Sequence, residues 1–440
     1  MSRDVVAGFL AHDPNLFVGT SAARAMGWLS HPERYLGQYL DQVDELLPRR
    51  HAQTALLGMG GSSSPARLFV EARTSTDLVV LDTSNPDSIS HINFSKLNVV
   101  ASSKSGTTIE TQTLLAHALA HGLEARDLVV VTDPGTTLEE LGYSLGAVVF
   151  VGDPMTGGRF SALSPFGLIP ALYAGWTPEE LRSELLACRL SAELIERALH
   201  DVSRFAEGVR EGHANFALGT DPITSGGALW LEQLIAETTG KEGRGFVPVL
   251  AGGTATYPPA DIMHWHLVAA LLARHLDVDP FNQPNVESAK RDVFELLRAP
   301  VVWPDNDDLN VEAIRDAFSG ASYGTLQVYA PLEVSTQVAQ LRRVLATNWS
   351  ATITANLGPR YLHSTGQLHK GGPPNVVALQ IVQRPRSAPQ RIEGRGYSFH
   401  DLHMAQAQSD FAAMRAVHRH VWRVMVDDLD EASRLLGVQS

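Results

Sequence analysis

The chain has 440 residues, a formal net charge of −13, 44% hydrophobic and 19% charged residues. That length suggests two or three domains, and the acidic balance argues against a broad nucleic-acid-binding surface without excluding a locally positive pocket for a small anion. Cys188 is the only cysteine, so no internal disulfide can form and a reducing, cytoplasmic setting is expected. The opening residues MSRDVVAGFLAHDPNLF do not read as a cleavable leader. No run approaches the roughly 20 apolar residues a bilayer demands, so no membrane partner is expected.

Residues 1–48 carry Trp28, Leu29, Tyr35, Leu36, Tyr39, Leu40, Val43 and Leu47 at helical spacing and read as a packing extension without chemistry. From residue 54, short apolar runs alternate with helical stretches: TALLGMGG, DLVVLDT, LNVVASS, DLVVVTD and GAVVFV. Continuous apolar strands separated by helices predict a parallel sheet covered on both faces, here an α/β domain over 49–205. A second set, ANFALGT, GFVPVLA, LQVYAP, TITAN and NVVALQIV, predicts a similar unit over 206–383. Residues 384–440 are expected to form a helical C-terminal segment.

The unusual loops fall at the carboxyl ends of strands, where such sheets bind ligands. After the third strand, Ser102, Ser103, Lys104, Ser105, Gly106, Thr107 and Thr108 lead into a helix. A helix start attracts a phosphate through its unpaired N–H groups and partial positive charge, and four hydroxyls exceed the one that a helix cap needs. GMGGSSS lacks the third glycine of a dinucleotide fingerprint, since Ser63 stands in its place.

In GGRFS, Arg159 alone could be a surface ion pair or a ligand contact. Gln233 and Glu237 share one helix face, and Glu237 lies near the helix end, where the dipole disfavours a carboxylate. It is either a solvated acid or a functional one. Lys290 shares a face with Val286 and Val293, so it must either snorkel or work in a pocket. His363, His369 and Lys370 fall among glycines, and the histidines could simply be satisfied by backbone groups. His264 and His266 are too close in a helical stretch to converge on a metal, and no metal or other cofactor is expected.

These strings also resemble a known family. SSKSGTTIET is similar to the phosphate loop of sugar isomerase (SIS) domains, specifically those of phosphoglucose isomerases; GMGGSS, GGRFS, Q…E…GKEG and PFNQPNVESAK are similar to that family's other signatures. LHSTGQ resembles the ring-opening histidine segment of some bacterial members. Its place after the glutamate and the Gln–Lys string, together with the tail YSFHDLHMAQAQSDFAAMRAV, resembles the isomerase half of fused transaldolase–phosphoglucose isomerases.

The resemblance implies two SIS-type three-layer αβα units with parallel sheets, flanked by helical extensions. It implies interconversion of glucose 6-phosphate and fructose 6-phosphate through a cis-enediol, an activity of glycolysis and gluconeogenesis, with catalysis by Glu237, His363, Lys290 and Arg159. Substrate contacts would come from Gly61, Ser62, Ser103, Lys104, Ser105, Thr107, Thr108, Gln233 and Gln283, and the chain would be a homodimer. An isomerase of another phosphorylated sugar, or a sugar-phosphate sensor without turnover, would share the hydroxyl loop; a sensor would not need Glu237, Lys290 and Arg159.

Overall fold

A computed structural model describes residues 2–73, 77–209, 213–286, 293–298 and 309–438. Strands β1 (Gln53–Leu57), β2 (Leu78–Leu81), β3 (Leu97–Ser102), β4 (Leu128–Thr132) and β5 (Val148–Val151) form one parallel sheet in the order β2-β1-β3-β4-β5. Alternate residues along each strand enter different cores, because strand side chains change face with period two. Leu56, Val100, Val129 and Val131 join a large cluster with the helices Pro165–Tyr173 and Ile262–His275. Ala55, Leu57, Val99, Ala101 and Val130 join a second cluster with the helix Ile109–Ala120. The expected covered parallel sheet is present.

The strand order reverses between β1 and β3, so the loops leaving their carboxyl ends diverge and open a crevice. The glycine-rich loop after β1 and the hydroxyl loop after β3 both border it.

The second half differs in detail from the expectation. β6 (His213–Leu218) and β7 (Gly245–Leu250), among the described residues, form a separate two-stranded parallel pair. β8 (Tyr323–Tyr329), β9 (Ile353–Leu357) and β10 (Val376–Gln383) join a further strand, β11 (His420–Val426), in the parallel order β11-β10-β8-β9. The segment 384–440, read from sequence as a helical C-terminal segment, contains the helices Phe399–Ala416 and Leu429–Leu435 but also β11 between them. Its run HVWRVMV hides the apolar signal behind Arg423. That guanidinium stacks over Phe411 at 4.0 Å and donates to Gln380 and Gln408, so an edge strand accommodates it.

The N-terminal extension comprises the helices Ser2–Leu10, His31–Tyr35 and Tyr39–Leu46 with intervening 3₁₀ turns. Phe9, Trp28, Leu29, Leu40 and Val43 are buried in the large cluster, each contributing roughly 1.5–3 kcal/mol by leaving water.

The second sheet buries Leu326, Val328, Leu379 and Ile381 on one face. The opposite face carries the polar Thr325, Gln327, Asn356 and Gln380, all buried. The helix Phe399–Ala416 lies against this face, where Gln380 Nε2 donates to Ala407 O.

Candidate active site

The helix Ile109–Ala120 begins at the cap residue Thr108, whose side chain makes no capping hydrogen bond. Thr108 Oγ1 instead pairs with Ser103 Oγ at 2.9 Å. The start of this helix therefore keeps N–H groups unmatched by a side-chain cap, and Gly106 makes the turn with a φ of +67°. Ser105 and Thr108 face a cleft of about 360 Å³, within the range of small-ligand sites. Thr107 faces a smaller neighbouring cavity of about 120 Å³. Ser103 is buried beneath Thr108 and does not line the cleft. Lys104 lines it with its charge shared: Nζ lies 2.5 Å from Asp133 Oδ2 and donates to Asp153 O at 2.8 Å. Burial pushes the Asp133 carboxyl up, against the opposing pull of Lys104.

Glycine is needed in the loop after β1 because other backbones come too near for a Cβ. A Cβ on Gly60 would meet His363 O at 2.5 Å, and one on Gly61 would meet Gly158 O at 2.2 Å. Close approach of GMGG to GGRFS and to the His363 turn thus accounts for these glycines. Gly61 and Ser62 line the cleft at this point.

Glu237 is buried, as is the rest of its helix, Gly226–Thr239. Gln233 and Glu237 share the cleft-facing side, with Gln233 Nε2 3.3 Å from Glu237 Oε2 and 2.9 Å from His363 O. Ser64 Oγ donates to Gln233 Oε1 at 2.6 Å, which fixes the orientation of that amide.

Arg159 is buried beside Glu237, its Nε 3.3 Å from Oε2. Its other four N–H donors are committed: Nη1 to Glu237 O and Pro280 O, Nη2 to Asn282 O and Gln283 Oε1. Burial lowers the Arg159 pKa, and the nearby carboxylates Glu237 and Asp279 oppose that shift. Gln283 lines the cleft, held in place by Arg159. Lys241 anchors the same loop from below through Asp279 O, Asn282 O and Asn282 Oδ1. Burial, reinforced by Arg159, pushes the Lys241 ammonium down to about 6.

His363 also lines the cleft, and its Nε2 lies 3.0 Å from Glu110 Oε1. His369 belongs elsewhere: its ring is wholly buried against Tyr323 and Thr325. Lys370 is buried in an ion pair with Asp410 at 2.5 Å. Lys290 lies outside the described residues.

The cleft therefore gathers Gly61, Ser62, Lys104, Ser105, Thr108, Arg159, Gln233, Glu237, Gln283 and His363. Sequence reasoning missed Glu110 and Lys241. Glu110 is an acid in the first turn of a helix, where a solvated dipole partner is the ordinary explanation; its burial and its contacts with His363 and Gln406 distinguish it. Lys241 adjoins the Glu237 helix in sequence, but its work is to hold a loop remote along the chain.

Among the described residues, no cluster of three or more His, Cys, Asp or Glu side chains is placed to hold a metal ion. Among them also, no helix is long and apolar enough to cross a membrane.

No family model matches the chain. It is 28% identical over 207 residues to the glucose-6-phosphate isomerase of Campylobacter jejuni, covering 42% of this chain and 50% of that one. It is 32% identical over 217 residues to a probable glucose-6-phosphate isomerase of Haloquadratum walsbyi, covering 45% and 50%. With the glucose-6-phosphate isomerase of Mycoplasma mycoides it shares 24% identity over 331 residues, covering 68% and 71%. The chain thus spans about half the length of the first two relatives. These three relatives, each aligned over part of this chain, are all named for glucose-6-phosphate isomerase.

Proposed function

We propose that this chain is an aldose–ketose isomerase acting on glucose 6-phosphate and fructose 6-phosphate. The observation that carries the reading is a buried carboxylate, Glu237, held 3.3 Å from a buried guanidinium at one side of a cleft whose other side is a hydroxyl-lined helix start. An anionic tail and a reacting carbon chain need those two poles in one pocket.

The phosphate is anchored at Ser105, Thr108 and the uncapped N–H groups, with Lys104 and Thr107 beside it. Ser103 contributes by orienting the Thr108 hydroxyl. Gly61, Ser62, Gln233 and Gln283 hold the sugar hydroxyls. His363, poised by Glu110, moves a proton at the ring oxygen and O1 to open the cyclic sugar. Lys290 is assigned to the same step by its motif.

Glu237 then takes the proton from C2 and returns it at C1, leaving a cis-enediol in between. With four of its N–H groups already engaged, Arg159 acts on the developing negative charge through its fixed field rather than as a new donor. It also aims Glu237 and Gln283. Water has little access to this buried pair, so the field is less screened than it would be at the surface. A homodimer is the proposed assembly.

The test is direct. Purified chain is mixed with glucose 6-phosphate, and NMR follows the ketose signals as they grow; other hexose 6-phosphates are run in parallel. Conversion of glucose 6-phosphate to an equilibrium mixture supports the assignment. Exchange confined to a different sugar phosphate would replace the substrate, and binding without conversion would leave a sensor.

A further inference from the structure

The tail helix Phe399–Ala416 is long and packed on the second sheet, burying polar as well as apolar side chains, yet the proposed chemistry uses none of its residues. It presents His403, Gln406 and Asp410, all buried, toward the site loops. A run of side chains passes through it to the His363–Glu110 pair, and each hydrogen bond in that run has one consistent direction.

The run starts at a helix cap. Asn85 Oδ1 accepts from the backbone N–H of Asp87 at 2.9 Å, so the opposite atom of its amide is the NH₂ group. That group, Asn85 Nδ2, lies 3.2 Å from His403 Nε2, which must therefore accept. His403 is wholly buried, and burial, reinforced by His400, pushes its pKa down to about 3, so the ring is neutral. A neutral imidazole accepting at Nε2 carries its proton on Nδ1.

That proton points at Ser84 Oγ, 3.1 Å away. Ser84 thus accepts from His403 and spends its single O–H on Gln406 Oε1 at 2.6 Å. With its oxygen taken, Gln406 directs Nε2 at Glu110 Oε1, 2.6 Å away. The same oxygen receives His363 Nε2 at 3.0 Å. No link offers a donor to a donor or an acceptor to an acceptor.

We propose that Ser84, His403 and Gln406 are positioning residues that hold Glu110 as an acceptor and thereby fix His363 with its proton on Nε2, leaving Nδ1 to exchange a proton with the sugar. The inference rests on the isomerase reading for its purpose, though not for its geometry. The helix steadies the other partner as well. Asp410, four residues beyond Gln406, takes Tyr361 OH at 2.5 Å and Lys370 Nζ at 2.5 Å, and these residues flank His363 in the chain. One rigid helix therefore holds the carboxylate and the histidine in mutual register. A hydrogen-bonded partner that orients a histidine acts through its tautomer as much as through its position.

The experiment uses the full chain and two readouts. Long-range proton–nitrogen NMR, with His363 assigned by comparison with a His363→Asn variant, reports which ring nitrogen is protonated. Turnover of a cyclic hexose 6-phosphate and of an acyclic analogue separates ring opening from the later proton transfer.

The parent should show His363 with the proton on Nε2. Gln406→Leu should give a mixed tautomer and lose about 10-fold in kcat on the cyclic sugar, the low end of what losing an outer hydrogen-bond partner costs at metal-bound histidines, because Glu110, the direct partner of His363, stays in place. Its turnover of the acyclic analogue should stay within about two-fold. Ser84→Ala, a small change less able to disturb folding, should move both readouts in the same direction. Combined with Gln406→Leu it should add nothing, because both cut one chain.

A parent His363 protonated on Nδ1, an unchanged tautomer in Gln406→Leu, or additive losses in the double variant would overturn the proposal. If the tautomer signals behave as stated while the parent converts no hexose 6-phosphate, the isomerase reading fails and the positioning chain stands.

Discussion

Arg159 offers the sharpest separation of charge from scaffolding. Four of its N–H groups tie down Glu237 O, Pro280 O, Asn282 O and Gln283 Oε1, and Nε sits 3.3 Å from the Glu237 carboxylate. Arg159→Met removes the charge and every one of these donors, leaving a buried carboxylate unbalanced by its cation. Removing one partner of a buried ion pair costs about 3–5 kcal/mol. Against a typical total of roughly 5–15 kcal/mol, the variant should fold but unfold at clearly lower urea.

Arg159→Lys keeps the charge, but an ammonium has three donors on a round head and cannot reach four acceptors spread over two chain segments. Both variants should lose the ordered Gln283 loop and raise KM. Only the Met variant should also lose the field, for which about 10²–10³ in kcat is the usual scale of an electrostatic stabiliser. Urea titrations and initial rates on both proteins decide the matter. A Met variant that loses less than about 1 kcal/mol would refute the buried-pair reasoning. Equal kcat in the Lys and Met variants would refute the field.

Two further outcomes follow from the cradle and from the core. Thr108→Ala should weaken sugar-phosphate binding by about 1.5–3 kcal/mol, the contribution of a hydrogen bond to a charged group, and should weaken competition by inorganic phosphate equally; calorimetry showing unchanged phosphate affinity would place the anion elsewhere. His266 is wholly buried among Trp28, Phe160 and Trp230, both ring nitrogens lacking a hydrogen-bond partner among the described residues, and burial pushes its pKa down to about 3. The folded-state value is below the unfolded one, so the unfolded chain takes up the proton first and stability falls as pH drops from about 6.5 toward 3. His266→Phe should therefore be more stable at neutral pH and should flatten that acid limb in urea titrations from pH 7 to pH 4; an unchanged limb would assign it to other groups.

The first sheet was legible because each of its strands is a short continuous apolar run, and in the inner strands β1, β3 and β4 such runs are buried on both faces. β11 was not, because Arg423 interrupts its run and a long helix precedes it. The motif loops were legible for a related reason: glycines, hydroxyls and a lone arginine are conspicuous at strand ends. What the spacing could not supply was depth. Ser103 and Thr108 look equivalent in SSKSGTT, yet one lies under the other. His363 and His369 look like a pair, yet one meets Glu110 in the cleft and the other is enclosed by Tyr323 and Thr325. Glu110, Lys241 and Gln406 act on partners far away in the chain, and no local pattern marks such a contact. Glu237 lay between these cases. Its odd place near a helix end was visible, but its burial against Arg159 was not.

The central claim is that the Glu237 carboxylate carries the proton between C2 and C1, and hydrogen exchange with solvent tests it most directly. In deuterated water, the parent should place deuterium at C2 of glucose 6-phosphate, because an enediol returns its proton through a base that exchanges with solvent. Glu237→Gln preserves shape and hydrogen-bonding capacity while removing the proton acceptor. It should bind sugar phosphate within a few-fold of the parent and lose exchange by at least the roughly 10²–10⁴-fold that a positioned acid–base group supplies. Exchange at the parent's rate in Glu237→Gln would mean that another residue is the base.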